Sequence, residues 1–160
     1  MRLKSREISD FNEIVDVLER CNTLRIAFRG DTYPYIVPVS FGIKKNGDDI
    51  LLYFHGAKEG DKIEQIERYP KVCVEGDIFY KAEETSYGIT AKYESVIGYG
   101  VIEKVENDEI IDGLKAICAH YNYAEYPIEK CKTLPMTAVY KIKINKLTGK
   151  RKLPEVTDEL

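Results

Sequence analysis

Residues 54–62 read FHGAKEGDK, and their types suit holding an anion or moving a proton. Lys58 and Lys62 stand where an apolar run, Ile50 to Phe54, gives way to a helical pattern. A lysine in the opening turn of a helix faces the positive end of the dipole, at a cost of about a few tenths of a kcal/mol. A phosphate placed between them reverses that sign, because the helix's open N–H groups and the ammonium then share one anion. Gly56 and Gly60 let such a ligand come close to the backbone. The alternative is a solvated loop with lysines for solubility, Lys62 pairing with Glu59. It is no Walker loop: Lys62 lies between Asp61 and Ile63, so G-x-x-x-x-G-K-[ST] is absent.

His55 closes the apolar run and opens the lysine loop. An imidazole there could hydrogen-bond a ligand or shuttle a proton near neutral pH, or it could be a satisfied structural residue. Ser95, in the run YESVIG (93–98), and Ser40, after Val37-Pro38-Val39, pose a similar choice. Each hydroxyl is either aimed at a ligand or simply the solvent side of a strand. His120 reads as structural, on the back of a helix beside Tyr121. Cys21, Cys73, Cys118 and Cys131 are far apart, without the close pairing that zinc sites use. They read as buried or incidental thiols, and two histidines are too few for a histidine-rich metal site.

Elements able to position these residues are visible in the pattern. Ser9 or Asp10 can cap a helix carrying Phe11, Ile14, Val15 and Leu18 on one face. LRIAFR (24–29) and YIVPVSFGI (35–43) read as strands, the second at an edge or bulged because Pro38 cannot donate to a ladder. Asn46-Gly47 signals a hairpin into the strand 50–55. After the lysine helix come strands at 71–80 and 92–106, and Gly98 and Gly100 suggest bending or close backbone approach in the latter. Asp108 starts a second amphipathic helix, with Ile110, Ile111, Leu114, Ile117 and Cys118 inward, and 137–147 alternates as a last strand. Roughly six or seven strands joined by hairpin-like turns predict a small antiparallel barrel, mainly β with flanking α. A doubly wound sheet does not fit, since no G-x-G-x-x-G follows the first strand. The expected division is a single domain over 1–150 and a tail over 151–160.

Composition narrows the function. A chain of 160 residues fits one domain, burying roughly 70% of its unfolded surface. A net charge of −3 offers no basic footprint, so nucleic acid is not an expected partner. MRLKSREISD has no apolar core of a signal peptide, and no apolar run reaches spanning length, so no membrane is expected and a cytoplasmic location is.

Taken in order, PYIVPVSF (34–41), LYFHGAKEGDK (52–62), ERYPKVCVEGD (67–77), YESVIGYGVIE (93–103) and KLTGKRKL (146–153) resemble the pyridoxamine 5′-phosphate oxidase-related flavoproteins. The resemblance is closest to the branch that includes nitroimidazole resistance proteins. It implies an antiparallel split β-barrel of the FMN-binding type, a homodimer, and FMN at the subunit interface. Physics favours such a placement, because side chains fill a small barrel's interior while a cleft between subunits has room for a tricyclic ring. By the same resemblance, Pro38, Val39 and Ser40 lie along the isoalloxazine ring. Lys62 and Lys58 hold the phosphate with the Ala57 backbone nearby, His55 sits near the flavin, and Ser95 faces it from the long strand. Two departures stand out. Asp61 occupies a place where many relatives carry a basic residue, and LTGKRKLP lacks the arginine-bearing C-terminal pattern of pyridoxamine phosphate oxidases, which argues against vitamin B6 oxidation. The implied activity is an FMN-dependent, nitroreductase-like oxidoreductase acting on a small-molecule substrate or electron acceptor, with His55 as its catalytic proton donor. A flavin-binding module without turnover, serving storage, sensing or sequestration, is the rival reading. So is the same barrel holding haem or a deazaflavin.

Overall fold

Asp10 opens the first helix by accepting the Glu13 backbone N–H on its carboxylate at 3.0 Å. That satisfies one of the donors every helix start leaves open. The computed structural model describes residues 3–47 and 49–154, the side chains of Asp61 and Lys62 excepted. Helix α1 spans Phe11–Arg20 and buries Ile14, Val15, Val17 and Leu18, while Phe11 stays largely outside the stripe. Helix α2 covers Asp61–Arg68 and helix α3 Asp108–His120. Short 3-10 turns occupy Lys4–Arg6, Ile128–Lys130 and Leu134–Met136.

The strands are β1 (Glu7–Ile8), β2 (Leu24–Phe28), β3 (Tyr35–Val39), β4 (Phe41–Asn46), β5 (Asp49–Gly56), β6 (Lys71–Thr85), β7 (Gly88–Lys104) and β8 (Ala138–Lys152). All pairings are antiparallel, in the order β3-β2-β6-β7-β8-β5-β4, with β1 added on β8. The single strand expected over 35–43 is therefore two strands, broken at Ser40. The reason is not local: β3 and β4 are the opposite ends of the hydrogen-bonded path, and Ser40 alone joins them. The result is a split barrel, curled but not closed by a ladder. Pro38 does lie on an edge strand, opposite Arg25 of β2, where its missing donor costs no pairing.

The β6–β7 hairpin is longer than its sequence suggests. Its pairing runs from Lys71↔Val101 out to Thr85↔Gly88, beyond the expected ends at 80 and 92. In KAEETSYGITAK most side chains on both faces meet solvent, so burial imposes no alternation to read. In the pairing of β7 with β8 the register shifts between Tyr99 and Gly100, and a Cβ on Gly100 would lie 2.5 Å from the Lys143 carbonyl oxygen. The close approach expected there is real. β8 also continues past 147, pairing Arg151 with Glu94 and Lys152 with Tyr93. Most of the expected tail, 155–160, falls outside the described residues.

The two faces of β5 feed two cores. Ile50, Leu52 and Phe54 join α1 and the inner faces of β2, β6 and β8, whereas Tyr53 joins Val139 and the Leu114, Ala116 and Ile117 face of α3. Burying a Leu or Ile side chain contributes about 1.5–3 kcal/mol, so these two clusters dominate what holds the fold. At the start of α3, Tyr53 donates to Glu109 Oε1 at 2.9 Å, and Lys141 Nζ reaches the same oxygen at 2.8 Å. Burial first, and then the Glu109 hydrogen bond, push Tyr53 up to about 12. The Lys141 hydrogen bond holds Glu109 below its ordinary value of 4.5. A carboxylate depressed on folding stabilises the protein above its unfolded pKa, and that stabilisation is lost as pH falls through the lower folded value. Thermal unfolding should therefore show the Tm dropping below about pH 4.5, with part of the drop absent in Glu109→Gln. Identical acid limbs in both proteins would remove Glu109 as an acid-sensitive anchor of α3.

Candidate functional site

β5 carries its chemistry at its last residues. His55 pairs with Val139 and Gly56 with Ala138, after which the chain leaves the sheet for α2. Phe41 pairs with Phe54, so Ser40, one step before Phe41, comes level with His55 at the same corner. Both residues are exposed. Pro38, exposed, and Val39, half-buried against the core, lead along β3 into this corner. Ala57 is exposed in the loop beyond it. Gly60 caps α2 with φ +122 and brings no side-chain oxygen to the helix start. Buried Ile66 and partly buried Ile63 seat that helix on the main core. Lys62 belongs to its first turn, but the Lys62 and Asp61 side chains lie outside the described residues.

Two expected site residues have partners of their own. Lys58 does not lean over the α2 start; its Nζ donates to the Pro135 carbonyl at 2.5 Å, pinning the Leu134–Met136 turn. Ser95 pairs with Asp77 and Lys150. Across β3, β2, β6 and β7 the registers Val39–Leu24, Arg25–Glu75 and Asp77–Ser95 bring Ser95 level with Ser40, three strand spacings or about 14 Å away. Ser40, His55, Ala57 and Lys58 gather at the corner, and Ser95 is level with it across the sheet.

The Leu134–Met136 turn separates two cavities beside this corner. One, of about 160 Å³, is lined by His55, Leu114, Cys118, Cys131 and Thr133. The other, of about 460 Å³, is lined by Lys58, Lys104, Ile110 and Val139. Leu134 and Thr137 border both. Lys104 carried no signal that marked it in sequence, because it reads as one more charge at a strand end.

One outer face of the sheet exposes large apolar residues beside the Arg25–Glu75–Asp77 ion pairs. Ile36 is 59% exposed, Tyr99 52% and Ile97 41%, and a groove of about 490 Å³ runs past Ala27, Arg29, Cys73 and Tyr99. A signal for it existed: in SVIGYGV (95–101) large apolar residues occupy the outward positions too, as Ile97, Tyr99 and Val101. His120 is structural, its Nε2 2.8 Å from the Cys21 carbonyl and its ring 4.3 Å from that of Phe41. Among the described residues the four cysteines are free, and no cluster of His, Cys, Asp and Glu could hold a metal. Nor is any described helix long and apolar enough to cross a membrane.

Comparison with known proteins follows this geometry. A Bacteroides thetaiotaomicron protein named for 5-nitroimidazole antibiotic resistance is 26% identical, with a TM-score of 0.74 covering 90% of this chain and 85% of that one. The flavocytochrome Anf3 of Azotobacter vinelandii shares the fold at 18% identity, TM-score 0.77, covering 99% of this chain and 75% of that one. An FAD- and haem-binding protein of Mycobacterium smegmatis does so at 18% identity, TM-score 0.70, covering 96% and 78%. No curated protein matches the sequence. The family described as pyridoxamine 5′-phosphate oxidase matches residues 10–151, from the cap of α1 to the penultimate residue of β8, and the chain belongs to that family.

Proposed function

We propose that the protein is an FMN-dependent oxidoreductase of nitroreductase-like type, working as a homodimer with one flavin site at each Ser40–His55 corner. The observation that carries this is the joining of that corner to an α2 start without a side-chain cap. The donor set fits a phosphate-bearing ring system. Open N–H groups in the first turn of α2 and the Lys62 ammonium suit the phosphate. Lys58, held by Pro135, must leave that carbonyl to join them. The β3 edge at Pro38 and Val39 offers a backbone strip for a flat ring, with the Ser40 hydroxyl and the Ala57 backbone alongside. Bound there, a flavin supplies the redox chemistry while the protein orients it and sets its surroundings. His55, exposed at the same corner, is the residue placed to hand a proton to a bound acceptor.

The homodimer is supported by the exposed apolar residues Ile36, Ile97 and Tyr99 that stand together on one outer face of the sheet. The flavoprotein names of the Azotobacter and Mycobacterium structures agree with flavin binding, and the Bacteroides protein's name with a nitro-group acceptor.

The test begins with the visible spectrum of freshly purified protein, acid release of any chromophore, and sedimentation of the same sample. The expected result is a yellow dimer that releases FMN. Lys62→Ala should bind FMN about 10- to 100-fold more weakly with unchanged circular dichroism, the loss of one charge-assisted hydrogen bond. A colourless protein that refuses FMN, or a Soret band in place of a flavin spectrum, would overturn the reading. Flavin bound without steady-state oxidation of NADH or NADPH, whatever the acceptor, would leave a binding module in place of an enzyme.

A further inference from the structure

Two of the four free cysteines face a common cavity. Cys118 lies in the last turns of α3 and Cys131 ends the turn Ile128–Lys130, and both line the 160 Å³ space beside His55. Their backbones are seated. The Tyr123 N–H donates to the Cys118 carbonyl at 2.8 Å, the Cys131 N–H to the Ile128 carbonyl at 2.9 Å, and Ile128 is buried against the α3 core. The cavity between them is bounded on one side by the 121–137 segment, which is held by short-range backbone turns such as Tyr126 to Tyr123 and Lys130 to Pro127. Segments held that way move more readily than sheet or helix interiors.

The two thiols are unlike. Thr133 Oγ1 lies 3.2 Å from Cys131 Sγ. That hydroxyl, with the Thr133 and Leu134 N–H groups, holds Cys131 below the ordinary thiol value. Burial, and then the charge on Cys131, push Cys118 up. One sulfur is disposed to ionise and the other to keep its proton, the division of labour of an attacking and a resolving thiol. Cys21 contrasts with both: buried, 3.2 Å from the Val17 carbonyl and pushed up to about 12, it is inert.

We propose that Cys118 and Cys131 are an oxidisable dithiol that closes to a disulfide across this cavity when the protein meets hydrogen peroxide. The Cys131 thiolate attacks one peroxide oxygen and the O–O bond breaks. Cys131 becomes a sulfenic acid, and the departing hydroxide takes up a proton to leave as water. Cys118 sulfur then attacks Cys131 sulfur. The S–S bond forms, the S–O bond breaks, and the hydroxyl leaves with the Cys118 proton as a second water. Two electrons pass from the thiols to peroxide in all. Closure ties the 121–137 segment to α3 and takes up space next to His55. No flavin is needed for this chemistry, so it stands or falls apart from the functional reading above.

The experiment treats the full-length protein with equimolar hydrogen peroxide, blocks remaining thiols with N-ethylmaleimide, and maps peptides by mass spectrometry with and without dithiothreitol. The expected product is an intramolecular 118–131 cross-link that dithiothreitol reverses, with Cys21 still blocked as a thiol after unfolding. In untreated protein, Cys131 should be alkylated at least about tenfold faster than Cys118. Cys118→Ser should stop at a Cys131 sulfenic acid that dimedone traps, and Cys131→Ser should abolish both products. Oxidation at Cys73 alone, links only between chains, or unchanged free Cys118 and Cys131 would each overturn the proposal.

Discussion

Gly42→Ala should cost about 3 kcal/mol, the upper end of what overpacking a core usually costs. At Gly42, β4 passes directly under α3, and an added Cβ would enter contact distance of the Ala116 carbonyl carbon and the Ile117 nitrogen. Those are backbone atoms inside a helix, so no side chain can rotate aside; α3 must lift from β4. Lifting it also strains the second core, where Ala116 and Ile117 are buried with Tyr53 and Val139. Urea titration should show a lower midpoint, together with loss of near-ultraviolet dichroism from Tyr53. Stability within about 1 kcal/mol of the parent would mean that helix and strand have room to spare at this crossing.

Arg20→Ala should cost about 1–3 kcal/mol, because it strips a charged partner from a buried carboxylate, the solvent at the half-exposed arginine limiting the loss. The Glu94 side chain is 3% exposed and meets Arg20 Nη2 at 2.7 Å. Tyr80 donates to the same carboxylate at 2.5 Å and accepts from Arg20 Nη1 at 3.1 Å. Asp16 meets Arg20 Nε at 3.1 Å. Burial works against the Arg20 charge, and the bonds to Glu94, Tyr80 and Asp16 outweigh it, so its pKa is raised. Three partners around one planar fork also make Arg20→Lys a poor substitute. The double variant Arg20→Met, Glu94→Leu should recover most of the loss, since apolar replacement of both partners removes the desolvation cost along with the attraction. A cycle in which the two single effects simply add would show that the pair is not coupled.

What could be read in advance was what short-range periodicity encodes. The stripes of α1 and α3 were legible because each buries one face, and Asn46-Gly47 marks a turn where Gly47 indeed takes φ +61. The break at Ser40 was not legible, since it depends on which strands end the sheet, a matter settled by β2 and β5 on either side. The outer part of the β6–β7 hairpin was silent for a different reason: with solvent on both faces, nothing selects apolar residues in alternation. At the candidate corner, the lysine loop and His55 stood out by residue type alone. The partner of Lys58 did not, because Pro135 lies 77 positions away.

Ser40 has a mechanical consequence. Every other adjacency in this barrel is a ladder of hydrogen bonds that can fray rung by rung, but the seam between β3 and β4 is covalent and one residue long. A single residue allows the Cα atoms of Val39 and Phe41 to part by no more than about 7 Å. However far the outer hairpins breathe, this pin keeps the two margins of the sheet together. Relative movement of β3 and β4 at this corner is therefore limited to rotation about the backbone bonds on either side of Ser40.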